Sequence, residues 1–426
     1  MARANRIRVT HAGALPRSGD LTKLVWAKGD NRPYDAAELS RRLHDELAQT
    51  VRRQVETGID SINDGELSKT SFTQYCISRI SGFETHPYRP GQDPEPLSIG
   101  ARDIRKFREY FAAGHAKFVN LDPPKNVFIC TGPLKYIGHA ELREDIANFK
   151  AALNGVKYEE AYMPANTPGT IEHWLRNEHY PDLESYLEGI ADCMREEYKA
   201  IVDAGFRLQI DDPDLPDGWL MYPDMSVADY RKYARLRVDA LNHALRDIPR
   251  EKIRLHVCWG SFHGPHQDDI PLKDIADLIF KVRASEYSIE ASNPAHEHEW
   301  NVFEKAKVPE GAKLIPGVVG HCSDFIENPE LVAQRLVRYA KLIGRENVMA
   351  GTDCGLGPRV KDPKIAWAKL DALVAGARLA TKELWRAGAP AAKKAAARRP
   401  AKKAARGAKR SARTPKARGR GRRSRS

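Results

Sequence analysis

Short apolar runs alternate with amphipathic stretches along most of this chain, and that alternation restricts the fold more than any other feature. Strand-like runs stand at 7–10, 59–62, 127–130, 159–163, 208–210, 253–256, 287–289, 314–319 and 348–350. Between most of them, at 36–57, 181–204, 226–247, 271–283, 328–343 and 363–385, apolar residues recur at steps of three and four among charges, the period of a helix with one buried face. Strand and helix in alternation predict an α/β fold with a parallel sheet. This many repeats predict that the sheet closes into a single (β/α)8 TIM-type barrel over residues 1–385. Nine runs compete for eight barrel positions. One therefore belongs to an excursion, placed at 67–158 after the second strand. Within it the Pro-rich segment 83–102 reads as a loop or small hairpin over the barrel mouth.

Charge divides the 426 residues unevenly. From Arg386 onward there are 17 Lys or Arg and no acid, so the formal net charge of +12 hides a body, 1–385, with 52 basic against 57 acidic side chains. The segment 386–426 is built of Ala, Lys, Arg, Gly, Pro and Ser with a single Thr and has nothing with which to form a core, so it reads as a disordered tail. Spaced cations on such a chain associate with phosphate backbones without reading sequence, which makes nonspecific nucleic acid an expected partner of the tail; a solvated appendage is the alternative. The start, Met1-Ala2-Arg3-Ala4-Asn5-Arg6, lacks the apolar centre of a secretion signal, and no run has the length of a membrane span. A cytoplasmic location and no membrane partner are expected. The six cysteines, at 76, 130, 193, 258, 322 and 354, show no disulfide-scaffold spacing, which leaves reduced thiols free for metal.

Four of the chain's residues suit one metal ion. In a strand side chains alternate faces, so His256 and Cys258 point the same way. Glu290 closes the apolar run at 287–289 and Cys354 follows the run at 348–350, so each candidate ligand stands at the C-terminal end of an expected strand, where barrels keep their sites. Two thiolates, an imidazole and a carboxylate suit Zn2+ better than the hard cations that prefer all-oxygen shells, and one ion per chain is expected. Ligands scattered over about a hundred positions, without CxxC pairs, favour a catalytic over a structural ion. The plain alternative is that these are core residues that never meet.

Further motifs accompany these residues. His11-Ala12-Gly13-Ala14-Leu15-Pro16-Arg17, Asn63-Asp64-Gly65-Glu66, Leu208-Gln209-Ile210-Asp211-Asp212-Pro213, His256-Val257-Cys258, Glu290 and Thr352-Asp353-Cys354-Gly355 come in that order. Together they resemble the cobalamin-independent methionine synthase family, specifically its C-terminal catalytic barrel, over about residues 5–358. Residues 327–332 with 344–348 resemble its shorter members, which include zinc-dependent alkyl-thiol transferases. The resemblance implies methyl transfer to a zinc-activated thiol, most directly homocysteine to methionine, with 5-methyltetrahydrofolate or a related compound as donor. It implies that Glu66 and Asp211 bind the substrate ammonium, that His11 and Ala14 line the substrate site and that His321 is catalytic; aligned without a gap, Cys322 takes the place of that histidine. The family's serine near the substrate carboxylate is Ala14 here, and the glutamate of its QIDEP motif is Asp212. The chain has no room for the second barrel of the full-length synthases. Other readings are alkyl transfer to a thiol of the coenzyme M type, a metal-free decarboxylase or lyase on a related barrel, and a nucleic-acid-associated inactive barrel.

Overall fold

The structure, a computed structural model, describes residues 5–386 except 73, 94–97, 117–124, 358 and 361. Eight parallel strands follow one another around a nearly closed barrel: β1 (Arg8–Val9), β2 (Ser61–Ile62), β3 (Glu160–Asn166), β4 (Arg207–Asp211), β5 (Ile253–Val257), β6 (Glu286–Glu290), β7 (Lys313–Val319) and β8 (Met349–Thr352). Strands β3 to β7 are buried along almost their whole length, which is why they read as apolar runs rather than as alternating ones. The ladder is continuous from β2 through β8 to β1. Between the two-residue strands β1 and β2 side chains complete the ring: Asp60 accepts the Val9 N–H at 2.8 Å, and the Thr10 hydroxyl donates to the Ser61 carbonyl at 3.0 Å.

Helices cover the outside. The helix Ala36–Thr57 starts where Asp35 accepts the N–H groups of Ala37 and Glu38, ends at Gly58 in the left-handed region (φ 102°), and buries Leu39, Leu43, Leu47 and Val51 at four-residue steps. The helices Leu183–Asp203, Val227–Ala244, Leu272–Ile279, Pro329–Ile343 and Pro363–Leu384 match the periodic stretches to within a few residues. None of the described helices is long and apolar enough to cross a membrane.

The ninth apolar run, 127–130, belongs to the excursion. It lies in the strand Asn126–Tyr136, which pairs antiparallel with Ile80–Pro87 and parallel with Arg176–Asn177 in a separate three-stranded sheet. The segment expected to be a loop or hairpin at 83–102 thus contributes one arm of that pair. Arg102, on the short helix Ala101–Lys106, ties the excursion to the loop after β4: its guanidinium donates to the carbonyls of Trp219, Tyr222 and Met225 and lies 3.4 Å from the Trp219 ring centre. The basic segment, with its expected disorder and nucleic-acid partner, lies outside the described residues beyond Arg386.

Polar groups fill part of the barrel interior. Arg254 on β5 is fully buried and donates to Glu286 at 2.9 Å, to Thr10 at 3.0 Å and to Ser61 at 3.1 Å, so one guanidinium links β1, β2, β5 and β6. Its removal takes the 2.9 Å partner from the buried Glu286 carboxylate and leaves it only the longer contact to Arg207, at 3.6 Å. The expected cost of Arg254→Leu is about 3–5 kcal/mol, read as a shift in the urea unfolding midpoint; a shift below about 1 kcal/mol would contradict this account of the interior.

Candidate metal centre and carboxylate pair

Register assembles the site. Asp211 on β4 is paired with His256 on β5, His256 with Ser288 on β6, and Glu290 with Gly317 on β7, so the chemistry-bearing side chains emerge side by side at the C-terminal rim. Cys258 continues β5 one residue beyond the strand, and Cys354 stands two beyond β8.

A ring nitrogen of His256 and the sulfurs of Cys258 and Cys354 lie within 4.8 Å of one another. The two Sγ atoms are 3.9 Å apart. Two sulfurs on a tetrahedral zinc, each bonded at about 2.3 Å, stand about 3.8 Å apart, so the thiol spacing already fits that ion. His256 is oriented through Nδ1, 3.1 Å from the Ser288 hydroxyl, while its Nε2 is buried without a hydrogen-bond partner among the described residues. A second contact fixes a metal-binding imidazole in its tautomer, and an orphaned buried nitrogen is what an absent ligand bond leaves behind. The thiols are polarised in opposite senses. The hydrogen bond between the two holds the Cys354 thiol well below its ordinary range and, with burial, drives Cys258 well above it. The Ser261 hydroxyl also donates to Cys354 at 3.3 Å.

Glu290 stands apart from that trio. Its carboxylate groups with His321 and Asp353, again within 4.8 Å, and each of its oxygens accepts a hydrogen bond: Oε2 from the Trp259 backbone N–H at 2.9 Å and Oε1 from the Asn293 amide at 3.0 Å. Each oxygen keeps a second lone pair. His321 is 1% exposed; its Nε2 is 3.2 Å from the Cys322 sulfur, and its Nδ1 is buried without a hydrogen-bond partner among the described residues. Cys322 is half-buried and belongs to neither cluster.

Beside the thiols is a pair of acids. Burial raises Glu66 to about 8, with Lys69 opposing and Asp211 and Asp64 adding to the rise. Burial likewise lifts Asp211 to about 6, against the pull of His256 and of the Gln209 amide, which donates to its Oδ1 at 2.8 Å. Lys69 is shared: its ammonium donates to the Pro164 carbonyl at 2.6 Å and lies over the Tyr75 ring. The acids therefore keep proton affinity to spare, which a further cation would take up. Gly13 makes room for Glu66, since a Cβ there would collide with its Oε1, and its φ of 140° suits glycine.

The opening motif lies under this pair. His11 is buried, its Nε2 donating to Gln54 Oε1 at 2.9 Å and its Nδ1 accepting the Gly13 N–H at 3.3 Å; burial pushes the imidazole down to about 4, so the ring is neutral and holds the Gly13 loop. Ala14 packs against the loop of Cys354: its carbonyl accepts the Gly357 N–H at 2.9 Å, and a Cβ on Gly355 would stand 2.9 Å from its nitrogen. Asp212 accepts the Leu215 N–H at 3.2 Å. Sequence reasoning did not find Ser288, Ser261, Trp259 or Asn293. Ser288 had a signal, as it shares a strand face with Glu290. Trp259 acts through its backbone, which no residue type announces.

Comparison with known proteins places the chain in a family. Residues 135–378 match the family model described as cobalamin-independent synthase, catalytic domain. A methionine synthase of Thermococcus kodakarensis is 27% identical over 386 residues, covering 88% of this chain and 96% of that one, and a methionine synthase of Pyrococcus furiosus is 25% identical, covering 82% and 86%. The B12-independent methionine synthase of Shewanella sp. W3-18-1 shares the fold, with a TM-score of 0.65 at 20% identity over 89% of this chain and 99% of that one. With more than half its length matched by the family model, and its barrel and motifs in the expected order, this chain belongs to the cobalamin-independent synthase catalytic-domain family.

Proposed function

We propose that this chain transfers a methyl group to the sulfur of a small thiol, and that the thiol is homocysteine, the product methionine and the donor 5-methyltetrahydrofolate or a related methyl compound. The observation that carries the reading is the trio His256, Cys258 and Cys354 beside the cation-hungry acids Glu66 and Asp211. The methionine synthase relatives, whose length the chain nearly spans, support it.

His256, Cys258 and Cys354 would hold Zn2+, with Glu290 as the fourth ligand. Bound there, zinc supplies a thiolate at neutral pH from a thiol that otherwise ionises near 8.5. Glu66 and Asp211 take the substrate ammonium between them, and the arriving charge returns both acids to their ionised form. That contact holds the substrate in one orientation, with its sulfur toward the cysteines. The backbone at Ala14 is left to meet the substrate carboxylate, while His11 keeps the Gly13 loop in the shape that admits Glu66. His321, held through Nε2 by the Cys322 thiol, carries the proton that the donor's leaving nitrogen needs. A thiol of the coenzyme M type has no ammonium and would leave Glu66 and Asp211 unused, which favours the amino-acid thiol.

Two measurements test this. Elemental analysis should find one zinc per chain in the wild type and almost none in Cys258→Ser or Cys354→Ser, with circular dichroism unchanged; full retention in both variants would rule out the site. The second concerns the acids. As pH falls from about 8 to 6, first Glu66 and then Asp211 takes up a proton and ceases to attract an ammonium, so kcat/KM for homocysteine should fall, by up to about tenfold per pH unit, relative to that for 2-mercaptoethanol. Glu66→Gln should remove most of that pH dependence and raise the homocysteine KM roughly 10- to 150-fold, the worth of a charged hydrogen bond of about 1.5–3 kcal/mol. Equal pH profiles for the two thiols would show that no ammonium is read there.

A further inference from the structure

Behind the proposed ligands Cys258 and Glu290 lies a group of buried charges that neither the metal nor the substrate reading uses. His296 Nε2 is 2.9 Å from Asp269 Oδ2, and its Nδ1 is 2.9 Å from Glu299 Oε2. All three side chains are at most 8% exposed. A neutral imidazole has one N–H, but a carboxylate on each side requires two, so His296 is an imidazolium by geometry. Burial opposes that charge and the two carboxylates outweigh it, raising the group to about 10. Asp269 also receives His266, whose Nδ1 is 2.9 Å from the same oxygen and whose Nε2 donates to the Phe262 carbonyl at 3.0 Å.

This network joins two loops, each of which carries a proposed ligand. Asp269 and His266 lie on the loop after β5, which begins at Cys258; His296 and Glu299 follow β6, which ends at Glu290. The His296 ring stacks on the Trp259 indole, centroids 4.1 Å apart at 27°. Trp259 directly follows Cys258, its backbone N–H holds Glu290 Oε2, and its indole N–H is tied to the Ile270 carbonyl at 2.7 Å. From the other side the Asn293 carbonyl accepts the backbone N–H of His296 at 2.8 Å, while the Asn293 side-chain amide holds Glu290 Oε1. Each path from His296 therefore ends on the Glu290 carboxylate, through Trp259 or through Asn293. Four buried charges add little net stability compared with apolar packing, so their effect is on placement.

We propose that His296 is a positioning residue of the metal centre: clamped between Asp269 and Glu299 and stacked on Trp259, it sets Glu290 relative to Cys258, so that Glu290 reaches an ion held by His256, Cys258 and Cys354. The inference rests on the metal reading above and adds to it the group that decides whether the carboxylate engages.

The experiment is metal binding by the full chain, stripped of metal and titrated with Zn2+ against a chromogenic chelator, then with Co2+ followed by visible absorption. In the wild type Co2+ should give the strong bands of a four-coordinate site with thiolate ligands. His296→Gln should stay folded by circular dichroism, lose roughly 10- to 100-fold in zinc affinity, as such supporting contacts do, and shift the cobalt bands as Glu290 gives way to water. Should His296→Gln fail to fold, Glu299→Gln decides the matter: it keeps an acceptor for the Leu272 N–H, removes one charge, and is expected to shift affinity and bands in the same direction. Wild-type affinity with unchanged cobalt bands in the folded variant would overturn the role of His296 and leave the metal reading intact. A wild type that binds neither ion would overturn the metal reading, and this inference with it.

Discussion

The site depends on the in-register pairing of β4, β5 and β6. Because Asp211 faces His256 across one ladder and His256 faces Ser288 across the next, a buried acid, an imidazole and a hydroxyl that orients that imidazole stand in a row at one rim. A shift of one residue in any of these ladders would turn the row into the barrel wall. The interior guanidinium of Arg254 bears on the same register, since it spans β1, β2, β5 and β6 below the rim.

Electrostatics at the rim are arranged in opposition. Cys354 sits close enough to Glu66 and Asp211 to raise the proton affinity of both acids, Asp211 adds to the rise at Glu66, and Lys69 opposes both rises while His256 opposes the one at Asp211. Burial pushes His256 down, yet Cys354, Asp211 and Glu290 around it raise it overall. The two arrivals proposed above, a soft cation between the thiols and an ammonium between the acids, would each answer this arrangement of charge.

Much of this was legible in the residues. The alternation of apolar runs and helical periods predicted the barrel, and the surplus ninth run pointed to the excursion where the structure has its second sheet. What the periodicity missed was short or local: the strands Ile80–Pro87 and Arg176–Asn177 are exposed on much of their length and show no apolar run, so their pairing depends on the partner strand Asn126–Tyr136. The helix Asp214–Met221 follows directly from the Asp211-Asp212-Pro213 motif, where two prolines and four acids mask its apolar face.

By itself the sequence determined which chemistry is available: two thiols, an imidazole and several acids, each at the end of a strand-like run, because side-chain period and ligand softness are properties of the residues. Only the tertiary structure decided how they group. It brings His256, Cys258 and Cys354 together, sets Glu290 with His321 and Asp353, pairs His321 with Cys322, and ties His11 to Gln54 and to the Gly13 loop. Those outcomes depend on strand register, on loop lengths between distant strands and on backbone donors such as the Trp259 N–H. These are distances between residues far apart in the chain, and a linear pattern does not contain them.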